Sequence, residues 1–196
     1  MTRPELPRSL AVRTLAAGSV LYRAHGVERG AIFFGPVAGE APRSRFDAPD
    51  GSYRVMYLGL TDEAAFIEGV IHSAVPRRII SERTLAQRAI STVHVIRPIR
   101  AARLYGRYLV RNGAEAAVAH GADYAGVSRP WSGAIHAHAD EVDGILYSAR
   151  HDDSVLALAL FDRAAHKVAA GACHTLSASD LRTLRLLDRY GLALEL

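Results

Sequence analysis

Cysteine, lysine and long apolar segments are scarce in this sequence. Its 196 residues include one cysteine, Cys173, and one lysine, Lys167. A single cysteine can form neither an internal disulfide nor a zinc cluster of several cysteines. The longest uninterrupted apolar run covers residues 155–161, whereas a membrane-spanning helix needs about 20 apolar residues. The first residues also lack the apolar core of a signal peptide, so we expect a cytoplasmic protein that does not enter a membrane.

Several nucleotide-binding and hydrolase motifs are also missing. The sequence has no GxxxxGK[ST] loop, no GxGxxG after a predicted strand and no GxSxG step. These absences argue against a P-loop NTPase, a standard dinucleotide-binding Rossmann domain and an α/β-hydrolase. Charged residues make up 22% and aromatic residues 7% of the chain. Both values are ordinary for a globular protein, which excludes a disordered chain and fits one folded domain.

The basic residues are almost all arginine. The chain has 24 Lys+Arg against 20 Asp+Glu, a formal charge of +4, and 23 of the 24 are Arg. They are spread from Arg3 to Arg189, and the longest basic run is the pair Arg77 and Arg78. Nucleic-acid surfaces concentrate such residues on one face or in one run, so the charge is weak evidence for nucleic-acid binding. Because the arginine fork binds phosphate and carboxylate in a bidentate manner, a few arginines are candidates for a phosphate-bearing ligand.

Hydrophobic patterning and turn residues divide the chain into strands and helices. Strands are predicted at residues 19–25, 53–60, 91–96, 101–105, 143–148 and 155–161, with a final edge strand at 191–196. Helices are predicted at residues 61–73, 106–120, 130–138 and 181–189. Residues 26–51 form a long loop rich in Gly and Pro, and such loops are often functional. Because strands and helices do not alternate strictly, the pattern favours an α+β fold over a doubly wound sheet.

Residue types at the helix ends support these boundaries. Thr61 can cap the helix at 61–73, which Pro76 would close. Ser128 can cap a helix that begins at Pro130, because proline is tolerated in the first turn. Ser179 can cap the last helix.

Glu68 is the first candidate site residue. On a helix over 61–73, its side chain falls at the edge of the apolar stripe. A carboxylate at such a boundary is either a pocket residue or a half-exposed surface residue, and from this helix alone the surface role is favoured. Tyr57 lies at the end of the strand that leads into this helix, where its side chain could form the lip of a pocket.

Arg23 is the second candidate. In a strand it shares a face with Leu21 rather than with Tyr22, and an arginine on a buried face needs an anionic partner. Arg45 and Phe46, inside the long loop, place another arginine beside an aromatic ring. Such a pair suits a nucleotide, although loops also contain such pairs by chance.

Two histidine patterns are weaker candidates for a site. His136 and His138 are two residues apart in a predicted helix, so their side chains point in different directions and would not share a metal ion. Cys173 precedes His174 directly. Because adjacent residues do not form a catalytic pair, a structural cysteine is the favoured interpretation.

The ordered segments LYRAH, SRFD, VMYLGLTDEAAFIE, WSGAI and DGILYSARHD, followed by ALFDR, together resemble the RES domain, a family named for its Arg, Glu and Ser. The resemblance covers about residues 21–163. It implies a single domain over 1–196, with a core at about 19–163 and a C-terminal helix and strand at 177–196. The implied fold is α+β and ADP-ribosyltransferase-like, with mixed sheets and flanking helices.

The resemblance also implies an activity and a partner. Family members are usually bacterial toxins paired with an Xre-like antitoxin, and they degrade NAD+ to nicotinamide. In studied cases the reaction is a phosphorolysis that gives ADP-ribose 1″-phosphate. NAD+ is then a substrate and inorganic phosphate a co-substrate, with no metal and no separate cofactor.

The matching motifs assign roles to particular residues. The resemblance implies a catalytic set of Arg23, Tyr57, Glu68 and Ser132, and an NAD+-binding set of Arg45, Phe46 and Ser148, with Arg150 as a further cation for the dinucleotide. Whether the family serine is Ser132 or Ser148 is left open, because relatives place it in either motif. This chain departs from the pattern in having SRFD for GRW or GRFN, YSAR for a Pro-Ser step, and Ala24 for an aromatic residue.

Other functions remain alternatives at this stage. A transferase that moves ADP-ribose onto a protein target would use the same donor site. A non-catalytic module that binds an antitoxin, or a nucleic-acid-binding regulator, belongs to a different class. The sequence does not decide the oligomeric state, and a homo-oligomer stays open.

Overall fold

The computed structural model describes residues 4–71 and 78–195. In chain order, the strands of these residues are β1 Val12–Leu15, β2 Val20–Gly26, β3 Val55–Gly59, β4 Ile79–Ser81, β5 Arg88–Val95, β6 Ile99–Leu104, β7 Gly144–Ala149, β8 Asp152–Phe161, β9 Val168–Thr175 and β10 Ala193–Glu195. The α-helices of the same residues are α1 Asp62–Gly69, α2 Glu82–Ala86, α3 Arg107–Arg111, α4 Ala116–His120, α5 Arg129–His136 and α6 Leu181–Arg189. Among them is no helix of the length and apolar character needed to cross a membrane.

A large mixed sheet forms the centre of the domain. In the described residues it has eight strands in the order β1-β6-β7-β8-β3-β2-β5-β9. Strands β6 and β7 are parallel, and the other neighbours are antiparallel. A second, small sheet joins β4 to β10 in parallel. This arrangement confirms the α+β class, because the sheet is neither all parallel nor wound by alternating helices.

The hydrophobic core covers both faces of the sheet. Strand β7 is buried along its whole length, and in β8 the residues from Ala157 to Phe161, within the apolar run at 155–161, are buried as well. Phe46, Tyr147 and Phe161 belong to a buried cluster on one face. Met56 and Leu158 belong to a cluster on the other. The central strands are therefore fixed by packing on two sides, which makes them a rigid support for the loops at their ends.

The single lysine has a structural position. Lys167 Nζ lies 2.8 Å from Asp143 Oδ2, and this oxygen also accepts a hydrogen bond from the Arg100 backbone N–H at 2.7 Å. Asp143 is buried and directly precedes β7, whereas Lys167 ends the 3₁₀ helix Asp162–Lys167. The ion pair thus ties the connection after β8 to the start of β7.

Local signals predicted several elements correctly. Thr61 caps α1, with its side chain accepting a hydrogen bond from the Ala64 N–H at 3.2 Å. Helix α6 occupies the predicted residues 181–189, although its cap is Asp180 and not Ser179. The first helix was expected to run to about Ser73, but α1 ends at Gly69, with Val70 as its C-cap. Ser73 and Pro76 themselves lie outside the described residues.

Three expectations about the helices were wrong. The helix predicted at 106–120 is two short helices, α3 and α4, because the buried Asn112 between them bonds Ala11 N–H and the Arg103 carbonyl. Ser128, the last residue of the π-helix Tyr124–Ser128, occupies the N-cap position of α5, which begins at Arg129, but it makes no capping hydrogen bond, because its hydroxyl donates to the Val118 carbonyl instead. Helix α5 ends at His136 and leaves His138 outside. Strands β1, β4 and β9 and helix α2 were not predicted.

Two glycines allow α1 to pack closely on the sheet. A Cβ added to Gly59, at the end of β3, would lie 2.6 Å from the Thr61 carbonyl oxygen, and one added to Gly69 would lie 2.5 Å from Ala24 Cβ. These distances are too short for a real side chain. The first contact sets the turn from β3 into α1, and the second sets the approach of α1 to β2. Together they fix the helix that holds Glu68.

We expect the substitution Gly59→Ala to lower the free energy of unfolding by about 1–3 kcal/mol, because the new methyl group meets backbone atoms that cannot move without displacing α1. The measurement is equilibrium unfolding by denaturant. Gly30→Ala is the control, since a Cβ there meets open space. Equal stability of the two variants would contradict the role given to Gly59.

Candidate active-site groove

A groove of two lobes lies where β2, β3 and α1 meet the long loop after β2. The "carboxylate lobe" has a volume of about 280 Å³ and is lined among others by Glu68, Tyr147, Arg150, Tyr124 and Arg45. The "arginine lobe" has a volume of about 220 Å³ and is lined among others by Arg23, Arg29, Phe33, Glu40 and Asp47. The two lobes share the wall formed by Ala24, Arg43, Ser44 and Tyr57. Each lobe is slightly smaller than the roughly 300–1,000 Å³ of typical ligand sites, and the two lobes are adjacent across this wall.

Glu68 lies in the wall of the carboxylate lobe, half-buried. Its Oε2 accepts a hydrogen bond from the Tyr147 hydroxyl at 2.8 Å, and its Oε1 accepts one from the Arg150 backbone N–H at 3.0 Å. Burial, and then the nearby Glu68 carboxylate, raise the pKa of Tyr147 well above its usual range, so that the tyrosine stays a donor. The carboxylate is therefore held in one orientation by two neutral donors. Of the two roles left open by the sequence, the structure places Glu68 in the pocket.

Arg23 lies in the arginine lobe and is 9% exposed. It shares the buried face of β2 with Leu21, as predicted. Its Nη1 donates to the carbonyls of Ala31 at 2.8 Å and Gly30 at 3.4 Å. Burial, and then the neighbouring Arg29, lower the pKa of Arg23 to about 10, so it remains protonated at neutral pH. Within the described residues no carboxylate lies at ion-pair distance from Arg23, and its charge is available to an anionic ligand.

A buried carboxylate holds the loop that forms the shared wall. Asp47 Oδ2 accepts hydrogen bonds from the backbone N–H groups of Arg43 at 2.8 Å and Ser44 at 2.6 Å. Its Oδ1 accepts one from the Tyr57 hydroxyl at 3.0 Å, and that hydroxyl accepts one from the Phe46 N–H at 2.9 Å. Asp47 is 2% exposed. Both oxygens are therefore used to fix the backbone from Arg43 to Asp47.

Helix α5 holds the same loop from its other side. Arg129 Nε donates to the Ser44 carbonyl at 3.1 Å, and its Nη2 donates to the Pro42 carbonyl at 3.0 Å. We call residues 42–47 the "clamped loop", because both its N–H and its carbonyl groups have side-chain partners. The clamped loop gives the groove a fixed wall without any regular secondary structure.

The two serines predicted from the resemblance do not line the lobes. Ser132 is fully buried, accepts a hydrogen bond from the Tyr53 hydroxyl at 2.7 Å and donates to the Phe46 carbonyl at 2.7 Å. It therefore holds the clamped loop through the Phe46 carbonyl, on the side of the loop that faces away from the lobes. Ser148 is also buried, with its Oγ 3.1 Å from His120 Nε2. The Phe46 ring, expected to touch the ligand, lies in the core and is 0% exposed.

Arg45 and Arg150 meet at one aromatic ring in the carboxylate lobe. The Arg45 guanidinium carbon lies 4.6 Å from the centre of the Tyr124 ring, and its Nη1 donates to the Gly121 carbonyl at 2.7 Å. Arg150 Nη1 donates to the Tyr124 hydroxyl at 3.3 Å. Both arginines predicted for a dinucleotide thus reach the groove, and Tyr124 orients them.

Several groove residues were missed by the sequence analysis, among them Arg43, Asp47, Tyr147, Tyr124 and Phe33. Asp47 is the last residue of the segment SRFD, and Arg43 directly precedes it. Their closeness to Arg45 in the sequence was the one signal that could have indicated a place in the site. Tyr147 belongs to the quoted strand segment DGILYSARHD, but only its contact with Glu68 shows its role. No local pattern marks Tyr124, because it reaches the groove through the π-helix.

The remaining candidates lie apart from the groove. His136 stacks on Tyr53 with ring centres 4.0 Å apart, and burial, then Arg163, lower the pKa of His136 to about 4. His138 Nε2 lies 3.0 Å from the Pro7 carbonyl. The two histidines therefore have separate environments, and they do not form a common site. Cys173 is exposed on β9.

We expect Tyr57→Phe to lower the free energy of unfolding by about 1–3 kcal/mol, because the Phe46 N–H and one Asp47 oxygen would lose their buried partner. Denaturant unfolding measures the change. Tyr22→Phe is the matched control, since the Tyr22 hydroxyl makes no hydrogen bond within the described residues, and it should stay within about 0.5 kcal/mol of the unsubstituted protein. A loss in both variants, or in neither, would argue against the clamped loop.

Comparison with known proteins identifies the family. The model of the RES domain matches residues 20–185. A chain of the crystal structure of the M. tuberculosis MbcT–MbcA toxin–antitoxin complex is similar in fold, with a TM-score of 0.64, 18% sequence identity and coverage of 89% of this chain and 92% of that chain. The search of curated proteins gives no match. The structural similarity supports the fold, and the family match extends over most of the sequence: the chain belongs to the RES domain family.

Proposed function

We propose that this chain is the toxin of a toxin–antitoxin pair and that it cleaves NAD+ between nicotinamide and ribose. One observation carries the proposal: the groove contains a buried arginine, Arg23, that has no carboxylate partner among residues 4–71 and 78–195, and a carboxylate, Glu68, that is fixed by neutral donors. NAD+ has the matching charges, since its pyrophosphate is anionic and its nicotinamide-ribose end is cationic. Membership of the RES family supports the same activity.

The proposed role of Glu68 follows from the charge that develops during cleavage. Breaking a glycosidic bond passes through an oxocarbenium-like transition state with positive charge on the ribose. A carboxylate at this point stabilises the charge, and its effect is largest when it is already oriented. Tyr147 and the Arg150 N–H provide that orientation. Nicotinamide takes the electron pair of the broken bond and leaves as a neutral molecule, so the step needs no acid on the leaving group.

The acceptor completes the reaction. If an oxygen of inorganic phosphate bonds to the ribose carbon, the products are nicotinamide and ADP-ribose 1″-phosphate. If water reacts instead, the products are nicotinamide, ADP-ribose and a proton. We favour phosphate, because the carboxylate lobe presents Arg43, Arg45 and Arg150 together with the carboxylate of Glu68, and the arginine fork binds two phosphate oxygens at once.

The other groove residues have binding roles in this proposal. Arg23 and Arg43 bind the pyrophosphate, since Arg23 is charged and Arg43 lies on the wall shared by the lobes. The Tyr57 ring, on the same wall, stacks on the nicotinamide. Ser132 contributes by positioning the clamped loop. Its hydroxyl is occupied by Tyr53 and the Phe46 carbonyl.

The proposed partner is a small Xre-like antitoxin that blocks the groove. Membership of the RES family and the fold shared with a chain of a toxin–antitoxin complex support a partner of this kind. Expression of the chain alone should arrest growth while cellular NAD+ falls. Co-expression with the protein encoded by the neighbouring reading frame should restore both, and NAD+ that stays constant during growth arrest would contradict the proposal.

We expect Glu68→Gln to slow nicotinamide release from NAD+ by about 100-fold or more, because the amide no longer stabilises the oxocarbenium charge. The rate is measured with purified protein at several phosphate concentrations. Glu63→Gln is the matched control on the same helix: its carboxylate pairs with Arg189 at 3.8 Å and does not line the groove, so its rate should stay within about twofold of the unsubstituted protein.

The same assay separates the alternatives. Unsubstituted protein that leaves NAD+ intact at every phosphate concentration would overturn the proposed activity. Full activity of a folded Glu68→Gln protein would remove Glu68 from the mechanism. With labelled NAD+ and a cell lysate, label on a macromolecule would instead support ADP-ribosyl transfer to a target.

A further inference from the structure

The arginine lobe has a composition of its own. Phe33 lines this lobe only, whereas Glu68 lines the carboxylate lobe only. The Phe33 ring has two cationic neighbours, since the guanidinium carbons of Arg23 and Arg29 lie 5.7 Å and 5.0 Å from its centre. Glu40 lies on the wall of the same lobe. The lobe thus combines an aromatic ring, positive charge and a carboxylate acceptor, which together suit a purine base that carries a phosphate.

The position of Phe33 is fixed by its own loop. Gly35 exchanges backbone hydrogen bonds with Val55 of β3, at 3.1 Å and 2.8 Å, which pins the loop to the sheet. A Cβ at Gly35 would lie 3.1 Å from Phe33 Cε1, so the absence of a side chain there lets the ring pack on the backbone. Phe33 is half-buried, which leaves part of the ring accessible from the lobe.

The two arginines beside the ring differ in how firmly they are held. Arg23 is buried and bonds two carbonyls of the same loop. Arg29 is exposed, and its ion pair with Glu28 spans 3.8 Å between two exposed side chains, an arrangement that contributes little. A fixed cation therefore lies on the inner side of the ring, and an adjustable one lies on the solvent side.

We infer that the arginine lobe is the subsite for the adenosine half of the dinucleotide and that Phe33 recognises the purine ring. The inference rests on the proposed function, because it takes the ribose that reacts to be the one at Glu68. With that end in the carboxylate lobe, the pyrophosphate crosses the shared wall at Arg43. The adenosine then enters the arginine lobe, where Phe33 offers the stacking surface and Arg23 stays beside the phosphates.

The experiment measures binding, so that it does not depend on turnover. AMP represents the adenosine half, and ribose 5-phosphate represents the same half without its base. Each is titrated calorimetrically into the full chain and into Phe33→Ala. We expect Phe33→Ala to weaken AMP binding by about ten- to a hundredfold, the range for loss of one aromatic–base stack, and to leave ribose 5-phosphate binding within about twofold.

Three further variants test whether the loss of AMP binding is specific to the Phe33 ring. Phe33→Tyr keeps the ring and should bind AMP like the unsubstituted protein. Val37→Ala changes an exposed apolar residue of the same loop that does not line the lobe, and it should also bind AMP normally. Glu68→Gln should retain AMP binding, because the carboxylate lies in the other lobe.

Several outcomes would overturn the inference. They are the absence of AMP binding to the unsubstituted protein, unchanged AMP binding in Phe33→Ala, and an equal loss of AMP and ribose 5-phosphate binding. Loss of AMP binding in Glu68→Gln would place the adenosine in the carboxylate lobe and would also refute it. Failure of the proposed function is a separate result, since it appears as NAD+ left intact while AMP still binds through Phe33.

Discussion

The shape of the groove depends above all on the hydrogen bonds that the buried carboxylate of Asp47 accepts. Three donors converge on it, two from the backbone of Arg43 and Ser44 and one from the Tyr57 hydroxyl. A hydroxyl or an amide would not offer two oxygens that both accept at this point. The carboxylate therefore fixes the backbone of a segment that has no regular secondary structure. This segment contributes to the wall that the two lobes share.

Helix α1 supplies the opposite side of the groove by a different physical means. Its position is set by close backbone approach at Gly59 and Gly69, and not by hydrogen bonds to the clamped loop. The two sides meet through the sheet, since Tyr57 belongs to β3 and Tyr147 to β7. Each tyrosine directs its hydroxyl to a carboxylate, Asp47 in one case and Glu68 in the other. The rigid central strands thus define the separation of the two functional walls.

The sequence predicted the features that depend on neighbouring residues. The Thr61 cap, the extent of α6 and the common face of Arg23 and Leu21 follow from local patterns. Features that depend on distant partners could not be predicted. Ser132 bonds the carbonyl of Phe46, 86 residues away, so no local motif distinguishes it from a serine in the groove. In the same way, the break between α3 and α4 follows from contacts of Asn112 with β6 and the start of the chain.

The partners of the charged groove residues explain why charges of both signs remain available there. A carboxylate paired with Arg23 would cancel its charge, but its partners are two carbonyls, which hold the guanidinium and leave it cationic. A cation paired with Glu68 would likewise weaken its field, but its partners are a tyrosine hydroxyl and a backbone N–H. Lys167 differs from Arg23 in this respect, since its charge is neutralised by an ion pair with Asp143. Neutral partners thus preserve the positive charge of Arg23 in the arginine lobe and the negative charge of Glu68 in the carboxylate lobe.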